Sequence, residues 1–336
     1  MPSLPGLDLA AVATWLDAER PGLRAGALTG EVIVGGKSNL TYRVTDGRHV
    51  WAVRRPPLAH VLPTAHDMAR EYRVITALAP TDVPVPATVA LCTDVDVVGA
   101  PFYVMDFADG VLFDTEDRVA SLDAAAARRC GDRLVDTLVR LHAVDPAAVG
   151  LADFGRPVGF TARQLRRWKQ QWDASVTREL PVVDDVVAGL AARVPTDGDG
   201  TIVHGDYRLT NVLLTPDADR VTAVLDWEMA ALGDPLLDVG LLVVYHRMAA
   251  QPGDLMPMMS PAAGFLSGDE LAALYAERSG RTVDPWYVAF AYFKLAVISE
   301  GIHARFLQGK TVGEGFSHLG ARVPGLLHDA LKELAA

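Results

Sequence analysis

Residues 204–211 read His204-Gly205-Asp206-Tyr207-Arg208-Leu209-Thr210-Asn211 and sit between two apolar runs, Ile202-Val203 before and Val212–Leu214 after. Short apolar runs flanking a polar octapeptide predict a loop held between two buried strands. A polar turn is the plain alternative. The spacing argues for more, because Asp206 offers a carboxylate that can orient a nucleophile, and Asn211 offers an amide oxygen suited to a hard cation.

Downstream, the apolar strand Val221–Leu225 ends in Asp226-Trp227-Glu228. An Asp at a strand end is usually a turn residue. Here it follows a candidate catalytic loop at the place a second metal ligand is needed. Mg²⁺ takes carboxylate and amide oxygens, keeps several waters and bridges phosphates, so Asn211 and Asp226 form a suitable pair.

Upstream, Gly35-Gly36-Lys37-Ser38-Asn39 lies between the strands Val32–Val34 and Thr41–Val44. Glycines let backbone amides approach an anion, and Ser38 and Asn39 add side-chain donors. Asp46-Gly47 between β-prone runs predicts a hairpin. In the second run, alternation puts Ala52 and Arg54 on one face, with Val53 and Arg55 on the other. A helix is predicted over His66–Leu78, followed by strands Thr88–Cys92 and Pro101–Phe107.

From Leu122 the pattern turns helical. Leu122–Val144 is one long helix, Thr161 and Gln164 predict a capping box opening the helix Ala162–Trp172, and Ser267 with Glu270 predicts another. The order is a small β-rich lobe over residues 1–107, a linker near Phe107–Val111, and a larger helical lobe over residues 108–336 that carries an inserted β-loop. The fold class is α+β.

Composition narrows the function. The chain has 336 residues, half of them hydrophobic, and 31 basic against 42 acidic residues give a net charge of −11. A duplex-binding protein presents a basic surface, so nucleic acid is not an expected partner. Cys92 and Cys130 have no metal-ligand spacing. No signal peptide and no membrane span are expected, and the chain reads as cytoplasmic. No protein partner can be inferred.

The set GGKSN, AVR, Glu71, HGDYRLTN, LDWE and GDPLLDVG resembles the aminoglycoside-phosphotransferase superfamily of small-molecule kinases. The Asp206–Asn211 spacing matches the kinase catalytic loop. VRRPP, the Arg163-Gln164…Trp168 segment and the closing helix are similar to a branch whose members include kinase-like domains fused to acyl-CoA dehydrogenases. The resemblance covers about Gly30–Arg305. It implies a protein-kinase-like bilobal fold, ATP and Mg²⁺ as cofactors, and a small-molecule hydroxyl acceptor as partner. It makes Asp206 the catalytic base, Asn211 and Asp226 the metal ligands, and Arg54–Glu71 the phosphate-positioning pair. Ala52 would flank the adenine, Gly35, Gly36, Ser38 and Asn39 the phosphates, and the backbone near Met105–Gly110, including Phe107, would bind the base. Two positions depart from the usual pattern. Arg54 replaces a lysine, and Trp227-Glu228 replaces Phe-Gly after the metal-binding Asp.

Other residues have plainer expectations. His204 orients the loop, Asp234 and Asp238 cap a helix or bond backbone amides, and His142 packs at a helix end. Trp168 and Trp172 are core or a wall of the acceptor cleft, and Glu300, His303 and Arg305 are solvated charges on the last long helix. Residues Leu241–Ala336 carry nine acidic and eight basic residues with no acidic cluster, and Met248–Leu266 is methionine-rich. That balance suits a less cationic, partly apolar acceptor. The alternatives are an aminoglycoside 3'-type kinase proper, which requires carboxylates converging beside Asp206, and a nucleotide-binding pseudokinase, which requires loss of a base or metal residue.

Overall fold

The structure, a computed structural model, describes residues 4–33, 39–58, 67–196, 198, 200–250, 259–309 and 318–336. The chain divides into two compact units. Met1–Gly110 with Thr222–Ala230 forms one, and Val111–Val221 with Ala231–Ala336 forms the other. The fold is a small antiparallel-sheet N-lobe and a helical C-lobe.

In the first unit the strands are β1 (Thr29–Val32), β2 (Leu40–Thr45), β3 (Val50–Arg55), β4 (Thr88–Cys92) and β5 (Phe102–Asp106), paired in the order β1-β2-β3-β5-β4. Gly47, at φ +90°, closes the β2–β3 hairpin in a conformation that costs a side chain strain. Helix α1 (Leu9–Glu19) starts on an Asp8 cap. Its Val12 and Leu16 join a core with Tyr42, Val44, Trp51, Val53, Phe102 and Val104. Strand alternation therefore leaves Ala52 and Arg54 on the opposite face, next to α2 (Met68–Leu78). That helix is capped by Asp67 and begins two residues after the expected start.

In the second unit β6 (Val111–Leu112) pairs with β8 (Val212–Leu214), and β7 (Thr201–Val203) with β10 (Ala231–Gly233). Strand β9 (Val221–Val224), of which Thr222–Val224 belong to the first unit, runs toward Asp226. The helices are α3 (Glu116–Ala120), α4 (Ala124–Ala143), α5 (Phe160–Ser175), α6 (Val182–Ala192), α7 (Leu236–Ala249), α8 (Gly268–Ser279), α9 (Pro285–Leu307) and α10 (Leu319–Ala335). Every residue of α9 from Trp286 to Val297 is buried, so it is the central element of this unit and shows no polar stripe there.

Ser267 and Glu270 make the reciprocal capping box at α8. The box expected at Thr161 does not form. Gly159, at φ +69°, turns the chain into α5 two residues earlier, and Thr161 is buried inside the first turn. Glu300 is not a solvated charge. It is fully buried and accepts hydrogen bonds from the Thr177 amide at 3.0 Å, the Thr177 hydroxyl at 2.6 Å and Arg178 at 3.0 Å. Met259 and Phe265 are buried side chains, while Met256 and Met258 lie outside the described residues. Among the described residues no helix is long and apolar enough to cross a membrane.

Candidate active site

The loop 204–211 leaves β7, closes with a single helical turn at Leu209–Asn211 and enters β8. Its backbone is pinned from several sides. Asp238, fully buried on α7, accepts the His204 amide at 2.6 Å and the Gly205 amide at 2.7 Å. Burial opposes the Asp238 charge, but hydrogen bonds from His142 and the loop outweigh it and hold the carboxyl below its usual range. His142 is more than a packing residue, since it lies 2.8 Å from the Tyr275 hydroxyl and 3.3 Å from Asp238. His204 Nδ1 accepts the Asp206 amide at 3.2 Å, so the expected orienting role has a visible bond. Asp234 likewise bonds backbone, accepting the Leu236 amide at 2.9 Å, and also takes the Tyr287 hydroxyl at 2.6 Å.

Around the Asp206 carboxylate, Tyr245 donates its hydroxyl to Oδ1 at 2.7 Å and Asn211 donates Nδ2 to Oδ2 at 3.1 Å. Arg208 Nε lies 3.4 Å from Oδ2, with its guanidinium 5.1 Å from the centre of the Tyr245 ring. Burial and the neighbouring Asp206 push the Tyr245 phenol well above its usual pKa, so it remains a proton donor. Asn211 Nδ2 also bonds the Asp206 carbonyl at 2.9 Å. With its nitrogen committed, Asn211 has Oδ1 as the atom that could ligate a cation.

In the first unit, Arg54 Nε sits 3.1 Å from Glu71 Oε1 and 3.2 Å from Oε2, and its Nη2 bonds Asp226 Oδ1. Burial works against the Arg54 charge, but Glu71, Tyr103, Asp226 and Glu228 together raise its pKa, and it stays a cation. Burial pushes the Glu71 carboxyl up to about 7 even beside Arg54. Asp226 adopts φ +68°, a left-handed conformation that an Asp holds only where its surroundings enforce it. Asn39 donates to Glu228 at 2.9 Å. Ala52 stands opposite Met105 in the β3–β5 register, and the Phe107 amide is bonded to the Val50 carbonyl at 3.1 Å. Gly35, Gly36 and Ser38 lie outside the described residues.

The structure thus brings Arg54, Glu71 and Asp226 together in one unit, and Asp206 with Asn211 in the other. Among the described residues no cluster of three or more His, Cys, Asp or Glu side chains could hold a metal. A site for Mg²⁺ need not have one, because this ion relies on one or two carboxylates plus phosphates and water. Asp226 in the first unit and Asn211 Oδ1 in the second each offer an oxygen of the kind this ion takes. Sequence inspection missed Tyr245 and Lys294. Tyr245 carries no local signal. Lys294 had one, as the only charge in the apolar run Val288–Val297.

Residues 29–280 match the family model described as "Phosphotransferase enzyme family". Acyl-CoA dehydrogenase family member 11 of Gallus gallus is 34% identical over 92% of this chain, and the aligned region is 40% of that protein. The chain spans well under half the length of the curated relatives it matches. A solved structure from Ralstonia eutropha JMP134, with a provisional aminoglycoside-phosphotransferase assignment, is 32% identical, covers 98% of both chains and superposes with a TM-score of 0.84. Aminoglycoside phosphotransferase APH(4)-Ia, solved with AMP-PNP and hygromycin B, shares the fold at 15% identity, over 96% of this chain and 98% of its own, with a TM-score of 0.61. The chain belongs to the phosphotransferase enzyme family.

Proposed function

We propose that the protein is a cytoplasmic, ATP- and Mg²⁺-dependent kinase that transfers the γ-phosphate to a hydroxyl of a small molecule. The observation that carries this reading is the Asp206 carboxylate, which already accepts a hydroxyl hydrogen bond from Tyr245 and is locked to Asn211. Phosphoryl transfer asks for little covalent help and much positioning. In this reading the acceptor hydroxyl donates to Asp206, its oxygen bonds to the γ-phosphorus as the bond to the ADP oxygen breaks, and Asp206 takes the proton. Arg54, steadied by Glu71, contacts the α- and β-phosphates. Asn211 and Asp226 would hold Mg²⁺, which neutralises phosphate charge when bound. Ala52, Met105 and the Phe107 carbonyl would flank the base, with Gly35, Gly36, Ser38 and Asn39 near the phosphates.

The surroundings of Asp206 favour a neutral or anionic acceptor. Arg208 pairs with it, and the Lys294 ammonium is close enough to feel it. A pseudokinase role is disfavoured because Asp206, Asn211 and Asp226 are all retained. Incubation with ATP, Mg²⁺ and a metabolite library, followed by mass spectrometry, tests the reading. A product heavier by one phosphoryl group is expected, and no such product from any hydroxylated compound would count against it.

A further inference from the structure

Lys294 is the one charge in the fully buried stretch of α9 from Trp286 to Val297. Burying an ammonium costs several kcal/mol unless its surroundings replace water. Burial accordingly pulls its pKa down, while Asp206 and Asp238 pull it back up. Its Nζ donates to the Gly205 carbonyl at 2.6 Å and lies 5.4 Å from the centre of the Trp168 ring. A carbonyl and an aromatic face together are a modest return for a buried charge. Methionine would fill the same space without the desolvation cost.

The partner atom explains the retention. Gly205 holds φ +82°, which a glycine adopts without strain, and such a residue is also the easiest in the loop to swing. Its amide is fixed by Asp238 and its carbonyl by Lys294, so the backbone on both sides of Gly205 is anchored from two different helices. The peptide plane that Lys294 grips is the one leading directly into Asp206. We propose that Lys294 is a positioning residue for phosphoryl transfer. It holds the Gly205–Asp206 peptide so that the carboxylate meets the acceptor hydroxyl, and it does so without contributing to nucleotide affinity. The proposal rests on the kinase reading for its catalytic consequence, but its structural consequence can be measured without it.

The test uses the full chain with Lys294→Met. Hydrogen–deuterium exchange should be faster at residues 204–211 and unchanged along α4 and α10. With an acceptor taken from the metabolite screen, kcat should fall by about 100-fold, the scale of a small misplacement of a reacting group, while KM for ATP and the thermal midpoint stay near wild type. Lys294→Gln, which keeps a donor without the charge, should recover part of the loss, and it replaces the methionine variant should that variant not fold. Wild-type exchange at 204–211 overturns the proposal, and so does a loss of activity that only tracks a loss of folded protein. If the wild type phosphorylates nothing in the library, the kinase reading fails, and the exchange data alone decide whether Lys294 holds the loop.

Discussion

Arg54 bridges two carboxylates, holding Glu71 through Nε and Asp226 through Nη2. A lysine, the usual residue at this place in the superfamily, is a point charge and lacks the planar fork that allows both contacts at once. The arrangement couples the proposed phosphate-binding cation to the proposed metal ligand. Mg²⁺ at Asp226 would compete with a guanidinium already neutralising it.

Asp226→Asn tests that coupling. It removes one formal charge while nearly preserving shape. Affinity for Mg²⁺–ATP should fall more than affinity for metal-free ATP, measured by calorimetric titration of each. Equal losses in both titrations place Asp226 outside the metal shell.

Asp206→Ala should abolish phosphoryl transfer and leave nucleotide affinity near wild type. The carboxylate accepts from the Tyr245 hydroxyl and the Asn211 amide and is ion-paired with Arg208, and in the proposed reaction it faces the acceptor hydroxyl rather than the phosphates. Single-turnover assays with radiolabelled ATP give the rate. Near-wild-type turnover with the true acceptor would remove Asp206 from the role of base.

Much of this organisation is legible in the sequence because it is local. The hairpin around Asp46-Gly47, the alternation along β3, the loop between two apolar runs and the Ser267 capping box all depend on neighbours within a few residues. The missed elements depend on distant ones. Tyr245 and Lys294 reach the loop across 39 and 89 residues of sequence, and nothing in their immediate neighbours announces the destination. Glu300 looks like a helix-surface charge until Thr177 and Arg178 close over it. At Thr161 two local signals compete, and the left-handed Gly159 prevails over the capping box because it sets the chain direction first.

His246 gives the fold a pH dependence of its own. It is fully buried on α7, and burial drives its pKa from 6.5 down to about 4, partly opposed by the Leu266 carbonyl 3.3 Å away. In the folded state it stays neutral over a range where the unfolded chain binds a proton. Stability contributed by the neutral imidazole is therefore intact above about pH 6.5 and drains away as pH falls toward 4, by about 3 kcal/mol in total. Urea unfolding at several pH values, compared between wild type and His246→Leu, isolates this contribution. The variant should lose the slope in that window, and a parallel pH dependence in both proteins would assign it to other groups.

The protein should not phosphorylate kanamycin-like aminoglycosides efficiently, although its fold is theirs. Binding a polycation requires several carboxylates converging on the acceptor hydroxyl, and function resides in the site rather than in the fold. Of the described acidic side chains beyond Leu241, Asp269 and Glu333 are paired with Arg247, and Asp329 with Lys332. Glu270 and Asp284 cap helices, and Glu300 is buried under Thr177 and Arg178. Close to Asp206 the Asp238 carboxylate is committed to the His204 and Gly205 amides, while Arg208 and Lys294 repel an ammonium-bearing ligand. The net charge of −11 does not offset them, since exposed charges farther than a Debye length, about 10 Å, are largely screened. Kinetic assays on a panel of aminoglycosides decide the matter. A kcat/KM of ~10⁴ M⁻¹s⁻¹ or more on any of them would mean that carboxylates reach the acceptor after all, while rates near background are the expected outcome.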